Sequence, residues 1–460
     1  MDVPIRNPAT SEVIATVHRA ALGEVDQAID RAARAFEHWR ALAPVDRARL
    51  IRRFADVVDD HLEELAQLEV SNAGHVVTNA RWEAAQVRDV LEFCAGFPER
   101  LNGRQIPVDG GMSVTFHEPL GVAGVIVPWN FPMLISSWGF GPALAAGDTV
   151  VLKPAELTPL SAIRLGELAL EAGLPEGVLE VVTGSGSVAG WRLVTHPAVR
   201  KVCFTGSTEV GRQIMAGCAE QVKRITLELG GKSANIVFAD ADLVEAAEQA
   251  PMAVFDNAGQ DCCARSRILV QRTAYERFLG LLEPAVSRVQ VGDPNDEGTQ
   301  MGPLISESHR RSVAAFVPEE DSAEVSVAVR GNAPSGPGYW FPPTVLATVD
   351  PFVPAATEEI FGPVAVVIPF DEEIDAVRLA NGTSYGLSGS LWTRDLARAL
   401  RVARAVETGN LSVNSHSSVR YSTPFGGCKQ SGIGRELGPD AALAFTDEKT
   451  VFFSSLAPGQ

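Results

Sequence analysis

Basic residues are scarce in this chain of 460 residues, which has 39 Lys and Arg against 57 Asp and Glu and a formal net charge of −18 at pH 7. Nucleic acids and anionic membrane surfaces bind proteins through basic patches. The acidic balance therefore argues against nucleic acid and against a membrane as the main partner.

Long apolar runs are also missing. The longest uninterrupted stretches, such as residues 121–128, have the length of a β-strand, whereas a membrane-spanning helix needs about 18 apolar residues or more. Residues 1–19 carry charges early and contain no apolar run of signal-peptide length. We therefore expect a soluble, cytoplasmic protein.

Cysteine is the third deficit, with six residues in the whole chain. This number is too small for a disulfide framework and fits the reducing cytosol. No set of His and Cys residues shows zinc spacing, so we expect no metal ion. Apolar material is plentiful, since 46% of the residues are hydrophobic. This composition excludes disorder, and the length predicts about two to four structural units.

Two kinds of hydrophobic periodicity divide the chain. The first hundred residues are predicted to be helical, with apolar side chains every three or four positions in 24–41 and again in 46–70. From Gly121 onwards, runs that are apolar throughout alternate with helix-like segments, which is typical of parallel strands covered on both faces. The first group of predicted strands is 121–128, 149–154, 178–182, 202–205 and 225–229. A second group follows Gly231, at 236–238, 268–270, 344–346, 364–368, 389–392 and 411–413.

Cys262 and Cys263 differ in setting from Cys94, Cys203 and Cys218, which lie in apolar or helical surroundings and are predicted to be packing residues. They follow the polar, glycine-bearing segment 257–261, a predicted loop or helix start that a ligand can reach. Amides at a helix terminus would lower the pKa of such a thiol and activate it as a nucleophile. This segment alone leaves the nucleophile and an inert thiol equally open.

Glu228 ends an otherwise apolar predicted strand and precedes Gly230 and Gly231. Burying a carboxylate is costly unless it has a partner or a task. A partly desolvated glutamate has a raised pKa and can serve as a general base near neutral pH. A structural salt bridge to Lys232 is the alternative.

Further segments could bind a ligand where strands of the first group end. Asn130 follows the first strand and offers amide donors at the sheet's carboxyl edge, although on this segment alone a turn asparagine is the commoner case. Lys153 and Glu156 could hold a ribose diol, or form an exposed ion pair. Two glycine turns could hold a pyrophosphate at a helix N-terminus, or be ordinary turns. Their candidate residues are Gly186, Gly206, Ser207 and Gly211.

Together these segments resemble the aldehyde dehydrogenase superfamily. The family's glutamate motif is similar to residues 227–232, and its cysteine motif is similar to residues 257–267, with Cys262 at the nucleophile position. Coverage extends over essentially the whole chain. Other similar segments are 7–10, 128–132, 358–364 and 424–436.

The resemblance implies an α/β fold class with three parts. Residues 1–100 and 120–230 would form a modified Rossmann domain that binds NAD, and residues 231–430 an α/β catalytic domain. Residues 101–119 and 440–460 would form a small β arm used for oligomerisation, so a homodimer or homotetramer is implied.

The resemblance also implies roles for individual residues. Cys262 would attack a small-molecule aldehyde to give a thiohemiacetal and then a thioester, while Asn130 and the Cys262 backbone N–H stabilise the oxyanion. Glu228 would activate the water that hydrolyses the thioester. Glu156 favours NAD over NADP because its charge repels the extra phosphate, but relatives with a glutamate at this position sometimes accept both, so NADP is the alternative cofactor. The implied cofactor-binding residues are Trp129, Lys153, Glu156, Gly186, Gly206, Ser207, Gly211, Glu359 and Phe361.

Two positions depart from the family pattern or vary within it. Residues 72–76, Asn-Ala-Gly-His-Val, stand where many relatives carry a Gly-Lys-Pro turn, and we expect a surface change remote from the motifs. Asp261 directly precedes the nucleophile and would border the substrate. A carboxylate there resembles members that oxidise ω-aminoaldehydes, so we expect such a substrate or another small polar aldehyde.

Two alternative functions remain. A CoA-acylating semialdehyde dehydrogenase would pass the acyl group to another nucleophile, but such relatives typically lack the base at Glu228. A catalytically silent binding protein on the same fold is the other alternative, although a competent residue occupies every catalytic position.

Overall fold

The computed structural model describes residues 2–318, 324–417 and 419–455, so residues 456–460 of the predicted arm lie outside it. Its strands are β1 Asp2–Arg6, β2 Val13–His18, β3 Gln105–Val108, β4 Gly111–Pro119, β5 Val122–Ile126, β6 Thr149–Lys153, β7 Leu179–Val181, β8 Val199–Thr205, β9 Arg224–Glu228, β10 Ala234–Val237, β11 Arg267–Gln271, β12 Val325–Arg330, β13 Thr344–Thr348, β14 Val364–Phe370, β15 Ser388–Trp392, β16 Asn410–Val413, β17 Gly432–Ile433 and β18 Thr446–Ser454. Its α-helices are α1 Leu22–Ala41, α2 Pro44–Asp60, α3 Leu62–Ala73, α4 Val77–Cys94, α5 Pro132–Ala146, α6 Leu160–Glu171, α7 Trp191–Thr195, α8 Thr208–Ala219, α9 Leu243–Phe255, α10 Tyr275–Ser287, α11 Glu307–Ala314, α12 Pro354–Thr357, α13 Glu373–Asn381 and α14 Leu396–Ala405.

A six-stranded sheet, which we call the first sheet, has the order β17-β9-β8-β5-β6-β7. Strands β5 to β9 run parallel, and β17 joins the edge antiparallel to β9. Helices cover both faces, because Val125 packs into the core with α4 and α5 whereas Val122 and Ile126 pack into the core with α1 and α8. The chain direction across the sheet reverses between β5 and β8, and ligands bind at such switch points.

A seven-stranded sheet, the second sheet, has the order β12-β13-β14-β11-β10-β15-β16. It is parallel except for the edge pair β12 and β13. Strand β14 is buried at every position, as its apolar run predicts. Strand β12 was not predicted, because it lies at the edge and is only partly buried. The chain passes from one sheet to the other between β9 and β10, around residue 231.

The prediction that the first hundred residues are helical is wrong at two places. Strands β1 and β2 form an antiparallel hairpin, and their mostly exposed side chains give no apolar run to detect. The predicted helix 46–70 is broken into α2 and α3 at His61, whose backbone leaves the helical region at φ −117° and ψ 18°. Both helices bury apolar side chains, so the periodicity continues through the break.

The segment 72–76 is not a surface feature. Helix α3 ends at Gly74, which has a left-handed φ of 81°, a conformation that glycine adopts without strain. His75 follows and is 2% exposed. The expected surface change is therefore wrong, because the turn directs the imidazole inward instead of toward solvent.

Strands β18, β4 and β3 form a separate antiparallel sheet in that order. Residues Thr446 to Ser454 of β18 pair with β4 from Pro119 to Gly111, which brings the end of the described chain beside residues 111–119. In the described part of the chain, no helix is both long enough and apolar enough to span a membrane.

Candidate active site

A cavity of about 240 Å³ lies where the two sheets meet. The first sheet contributes residues from the carboxyl ends of its strands: Asn130 follows β5, and Glu228 is the last residue of β9. The second sheet contributes residues that precede the amino ends of its strands, namely Cys262 before β11 and Glu359 before β14. The remaining predicted site residues that line this cavity are Trp129, Gly206, Ser207 and Phe361.

The loop that carries Cys262 has an unusual backbone. Asn257 and Ala258 have left-handed φ values of 48° and 53°, which are uncommon for residues with a side chain. Gly259 also has a positive φ of 70°, and a side chain there would clash with the carbonyl oxygen of Gly362. This tight turn leaves Cys262 half-buried at the cavity while Cys263 is buried.

The Cys262 thiol is not activated in the way the sequence suggested. A side-chain hydrogen bond with Cys263, followed by burial, raises the pKa of Cys262 above its usual value. Cys262 follows a short 3₁₀ turn, Asp256–Gly259, and does not begin a helix, so no helix-terminal amides lower its pKa. The thiol is protonated near neutral pH and must lose its proton before or during attack.

The side-chain amide of Asn130 is held at the cavity by the same loop. Asn130 Nδ2 donates one hydrogen bond to the carbonyl oxygen of Gln260 at 2.8 Å, which leaves its second N–H for a ligand. Asn257 Nδ2 donates to the carbonyl oxygen of Asn130 at 2.9 Å. Gln260 is fully buried and was not predicted as a site residue. Its side-chain oxygen accepts from the Ile305 backbone N–H at 2.8 Å, so it fixes this loop to a distant segment.

Glu228 is 2% exposed. Across the described residues, neither of its carboxylate oxygens has a hydrogen-bond partner of normal geometry. Burial, and then the negative charge of Glu436, raise the pKa of Glu228 well above its usual value. Burial also raises the pKa of Glu436 to about 7. A carboxyl group with a raised pKa can exchange a proton near neutral pH.

The alternative salt bridge between Glu228 and Lys232 is wrong. Of the ion pairs formed by the described residues, none joins these two side chains. Lys232 is buried, and burial lowers its pKa to about 7. The carboxylates that act on it are Glu359 and Glu358, so Glu228 stays available at the cavity.

An aromatic cluster forms one wall of the cavity. The rings of Trp129 and Phe361 meet edge to face at 5.3 Å, and the His309 ring lies 5.4 Å from Trp129. His309 Nε2 lies 2.6 Å from the carbonyl oxygen of Phe361. Burial lowers the pKa of His309, which keeps the ring neutral. The sequence did not predict His309 as a site residue.

Glu359 also lines the cavity. Glu359 Oε1 accepts from the Gly231 backbone N–H at 2.8 Å, and burial raises the pKa of Glu359 to about 7.

Lys153 and Glu156 lie together after β6, but they do not pair with each other. Lys153 is 3% exposed and donates to the carbonyl oxygen of Pro154 at 2.7 Å. Burial lowers the pKa of Lys153 to about 8. Glu156 instead forms an ion pair with Arg19, whose Nη2 lies 2.5 Å from Glu156 Oε1. The alternative of an exposed ion pair between Lys153 and Glu156 is therefore wrong, because Lys153 is buried and Glu156 pairs with Arg19.

The residues of the predicted glycine turns lie in three different places. Gly206 and Ser207 line the central cavity, and Ser207 also caps α8 by accepting from the Val210 backbone N–H at 3.4 Å. Gly186 lines a second cavity of about 450 Å³, whose walls include Ile126 and Phe204. Gly211 lies away from both cavities. A side chain on it would come within 2.5 Å of Leu229, so its task is packing between α8 and β9.

These two cavities have the chemistry that a dinucleotide requires. The second cavity is a largely apolar slot suited to an adenine ring, and Lys153 borders it through Gly190. The central cavity holds an aromatic wall beside the thiol of Cys262, which suits the nicotinamide end. Gly206 supplies bare backbone between the two, and a side chain on it would meet the Phe204 ring at 2.5 Å.

A family model described as the aldehyde dehydrogenase family matches residues 1–451. The chain belongs to the aldehyde dehydrogenase family.

Individual relatives agree with this assignment. An aldehyde dehydrogenase from Emericella nidulans is 41% identical over 450 residues, which are 97% of this chain and 90% of the relative. The structure of betaine aldehyde dehydrogenase from Staphylococcus aureus in complex with NAD⁺ superposes with a TM-score of 0.95 at 37% identity, covering 98% of this chain and 91% of that one. An NADP dependent enzyme of E. coli superposes with a TM-score of 0.96 at 38% identity, covering 99% of this chain and 95% of that one.

Family membership confirms the predicted α/β fold class and the predicted activity. This aldehyde dehydrogenase oxidises an aldehyde to the carboxylic acid with NAD(P) as the acceptor, and NAD is a cofactor of its structural neighbours.

Asp261 lies beside the nucleophile, but it is not among the residues that line the central cavity. Its Oδ1 accepts from the Cys263 backbone N–H at 2.8 Å, and burial raises its pKa. The carboxylate of Asp261 therefore supports the turn in the loop that carries Cys262. A contact with a cationic substrate remains a prediction without support from this geometry.

Among the residues that the structure describes, two groups of side chains have potential metal ligands within 4.8 Å of one another: Asp261, Cys262 and Cys263 in one, and Glu69, His75 and Glu83 in the other. The first group contains the nucleophile itself. In the second, His75 Nδ1 pairs with the carboxylate of Glu83. The expectation of no metal ion stays a prediction.

The buried group of Glu69, His75 and Glu83 lies beneath the loop that carries Asn130. His75 Nδ1 lies 2.8 Å from Glu83 Oε1, and its ring contacts that of Phe131 at 5.4 Å. Glu69 Oε1 accepts from the Met133 backbone N–H at 3.3 Å. Burial lowers the pKa of His75, but Glu83 outweighs this and raises it to about 9. An imidazolium ion thus supports the loop from below.

Proposed function

We propose that Cys262, Glu228 and Asn130 carry out the aldehyde oxidation in the central cavity. The supporting observation is their convergence: a half-buried thiol, a carboxylate without a hydrogen-bond partner of normal geometry in the described chain, and an amide with a spare N–H line one space of about 240 Å³. These are the groups that a nucleophilic mechanism requires.

In the first step, Cys262 Sγ forms a bond to the aldehyde carbon as the carbon–oxygen π bond breaks, and the thiol proton passes to solvent water. The carbonyl oxygen gains the charge, and the spare N–H of Asn130 together with the Cys262 backbone N–H stabilises it. One such donor contributes about 3–4 kcal/mol to the transition state. Because Asn130 is fixed by hydrogen bonds to Gln260 and Asn257, the donor is already oriented before the aldehyde arrives.

The cofactor site extends from the central cavity to the apolar slot. When bound, NAD would accept a hydride from the carbon attached to Cys262. Lys153 and Glu156 would hold its adenosine ribose, Gly206 and Ser207 its pyrophosphate, and Glu359 its nicotinamide ribose. The remaining contacts would come from Trp129, Phe361 and Gly186. Gly211 would act only by allowing α8 to pack closely.

In the last step, Glu228 takes a proton from water, and the oxygen of that water attacks the thioester carbon. The C–S bond then breaks, the acid leaves, and the Cys262 thiolate recovers the proton from Glu228. The raised pKa of Glu228 suits this proton transfer near neutral pH. The presence of this base beside Cys262 supports hydrolysis over transfer to CoA, and it gives the silent binding protein no support.

The substrate, assembly and location are also proposed. A small polar aldehyde, with ω-aminoaldehydes as one class, fits a cavity of this size, and NAD is the preferred acceptor. The three-stranded sheet of β3, β4 and β18 would join subunits into a homodimer or homotetramer in the cytoplasm. Residues 1–100 and 120–230 would form the cofactor domain, and residues 231–430 the catalytic domain.

The test is an aldehyde panel in water enriched in ¹⁸O, with and without CoA. NADH formation and a free acid that carries at least one ¹⁸O atom from water are expected for acetaldehyde, benzaldehyde, succinate semialdehyde or 4-aminobutyraldehyde. A CoA thioester as the product would overturn hydrolysis by Glu228. Equal rates with neutral and cationic aldehydes of similar size would remove the substrate role of Asp261.

A further inference from the structure

Asp261 lies next to the thiol whose proton has to be removed before or during attack. The Asp261 carboxylate and the sulfur atoms of Cys262 and Cys263 lie within 4.8 Å of one another. Asp261 and Cys262 are half-buried, whereas Cys263 is buried. The carboxylate is therefore close to the nucleophile and is still reached by solvent.

The turn fixes the Asp261 side chain beside these thiols. Asp261 Oδ1 accepts from the Cys263 backbone N–H at 2.8 Å, and the Asp261 carbonyl oxygen accepts from the Ala264 backbone N–H at 3.0 Å. An ionised carboxylate has two acceptor oxygens, so Oδ2 can take a proton while Oδ1 keeps its hydrogen bond.

Arg265 holds the turn and acts on the charge of Asp261. Arg265 is 4% exposed. Its Nη1 donates to the Cys263 carbonyl oxygen, and its Nη2 donates to the His416 carbonyl oxygen at 3.0 Å. Burial raises the pKa of Asp261, while the Cys263 N–H, the positive charge of Arg265 and a side-chain hydrogen bond from Cys262 oppose this shift. Asp261 is therefore a stronger base than an exposed aspartate, and Arg265 favours its ionised form.

The carboxylates that act on Cys262 come from the second sheet's loops. After the neighbouring Cys263 thiol and burial, the charges that raise the pKa of Cys262 are those of Asp261 and then Glu359. Of these two, Asp261 also forms the side-chain hydrogen bond with Cys262. Asp261 is thus the better-placed acceptor for the thiol proton, and Glu228 is left for the water of the last step.

We propose that Asp261 takes the Cys262 thiol proton during attack on the aldehyde and passes it to solvent water. The inference rests on Cys262 as the nucleophile, as proposed above. The S–H bond breaks and Asp261 Oδ2 gains the proton as Cys262 Sγ bonds to the aldehyde carbon, whose oxygen gains the negative charge. Water then removes the proton from Asp261, and nothing is oxidised or reduced in this step.

The test measures the first equivalent of NADH by stopped flow, on the full chain with NAD and the neutral aldehyde that reacts fastest. A neutral aldehyde excludes any contribution from a contact between Asp261 and a substrate cation. Asp261→Asn keeps an acceptor for the Cys263 N–H but cannot take the proton. The rate at pH 7 should fall by about 10²-fold, in the range of a lost general base, and should rise by about tenfold per pH unit as hydroxide replaces the carboxylate.

The direction of this change separates proton transfer from a purely electrostatic role. The Asp261 charge contributes to the raised pKa of Cys262, so a carboxylate that acted only by charge would speed the reaction when removed. The other charged groups that face Asp261 are Arg265, Asp256 and Glu359, and the variant leaves all three in place. Asp261→Glu, which restores a carboxylate, should recover part of the rate.

Deuterium at the aldehyde carbon identifies the step that the variant slows. Attack should limit the first equivalent in Asp261→Asn, so replacing C–H by C–D should change its rate little. Asp261→Ser also removes the carboxylate and keeps a side-chain oxygen for the Cys263 N–H. It should show the same loss, and it replaces Asp261→Asn in the test if the amide variant does not fold.

Asp256→Asn is the matched control. Asp256 is a half-buried carboxylate of the same segment, and its Oδ1 accepts from the Asn257 backbone N–H at 3.0 Å. It is not a member of the cluster formed by Asp261 and the two thiols. Its removal should leave the first equivalent of NADH within about threefold of wild type, because this carboxylate does not take the thiol proton.

Four results would overturn the proposal. An unchanged or faster first equivalent in Asp261→Asn would show that Asp261 takes no proton. An equal loss in Asp256→Asn would show that any carboxylate of the segment has the same effect. A slow variant with a full C–D isotope effect would place Asp261 in hydride transfer instead of attack. Wild type that forms no first equivalent would remove Cys262 as the proposed nucleophile, and this outcome is distinguishable because it does not depend on an Asp261 variant.

Discussion

The two sheets meet at one cavity through opposite ends of their strands. The first sheet presents carboxyl ends, with Asn130 after β5 and Glu228 at the end of β9, whereas the second presents the loops before its amino ends, with Cys262 before β11. The first sheet obeys the rule that ligands bind outside the carboxyl ends of parallel strands at a switch point. The second sheet contributes its site residues from loops that approach the carboxyl ends of the first sheet's strands.

This difference separates two chemical tasks. The second sheet supplies the group that forms a bond to substrate, on a loop whose left-handed backbone at Asn257 and Ala258 is unusual. The first sheet supplies a base and an oxyanion donor that act without a covalent bond. Loss of Cys262 should therefore abolish the chemistry and loss of Asn130 should slow its first step, whereas loss of Glu228 should stop only the later hydrolysis.

Cys262→Ala tests the second sheet and should have the largest effect, a loss of about 10³-fold or more in NADH formation, because no other group can form the thiohemiacetal. Stopped-flow absorbance measures the rate of NADH formation. Cys263→Ala is the matched control, since its thiol is the neighbour but is buried away from the cavity. Substantial turnover in Cys262→Ala would reverse the assignment of tasks.

Glu228→Gln tests the first sheet. Turnover should fall by about 10²-fold to 10³-fold, in the range of a lost general base, while one equivalent of NADH still forms rapidly. The acyl group should then remain on Cys262 and be visible by intact-protein mass spectrometry. A loss of the first NADH equivalent as well would show that Glu228 is also needed for attack.

His75→Gln tests the support beneath the first sheet's oxyanion loop. It leaves Glu83 buried without its partner, so stability should fall by about 3 kcal/mol. The pKa of His75 is raised to about 9, so its contribution to stability is complete below pH 6.5 and is lost as pH rises through 9. The difference in Tm between wild type and variant should shrink across this range.

The control for this comparison is His18→Gln. His18 also lies next to a carboxylate, at 3.0 Å from Glu24, but it is exposed, so its removal should alter Tm little at any pH. Differential scanning fluorimetry at several pH values measures both variants. A Tm difference for His75→Gln that stays constant with pH would contradict the charged imidazole.

Glu436→Gln should have the smallest effect, a shift in the pH profile. Glu436 raises the pKa of Glu228 by charge repulsion. Removing this charge should lower the pKa of Glu228, so the acidic limb of kcat should move to lower pH by up to about one unit, with a change of only a few-fold in the maximum rate. An unchanged acidic limb of kcat would mean that a group other than Glu228 sets its position.

Local signals predicted the central strands and the motif residues. Strands β5, β6 and β14 are apolar at nearly every position because they are covered on both faces, and this property is visible in a short window of sequence. Glu228 was visible as a carboxylate in an apolar strand and Cys262 as a thiol in a polar, glycine-bearing segment, whereas Asn130 was singled out by the family resemblance. The exposed β1–β2 hairpin carries no such signal and was mistaken for part of a helical region.

The amino-acid sequence by itself determined which segments are buried and which groups are available for chemistry, since both depend on residues close together in the chain. Only the tertiary structure decided which residues contact these chemical groups. Gln260 beside Asn130, Glu436 beside Glu228 and Arg19 beside Glu156 are joined across more than 100 residues of chain. Such contacts depend on how the sheets and loops pack in space, and they set the pKa values and the orientation on which the reaction depends.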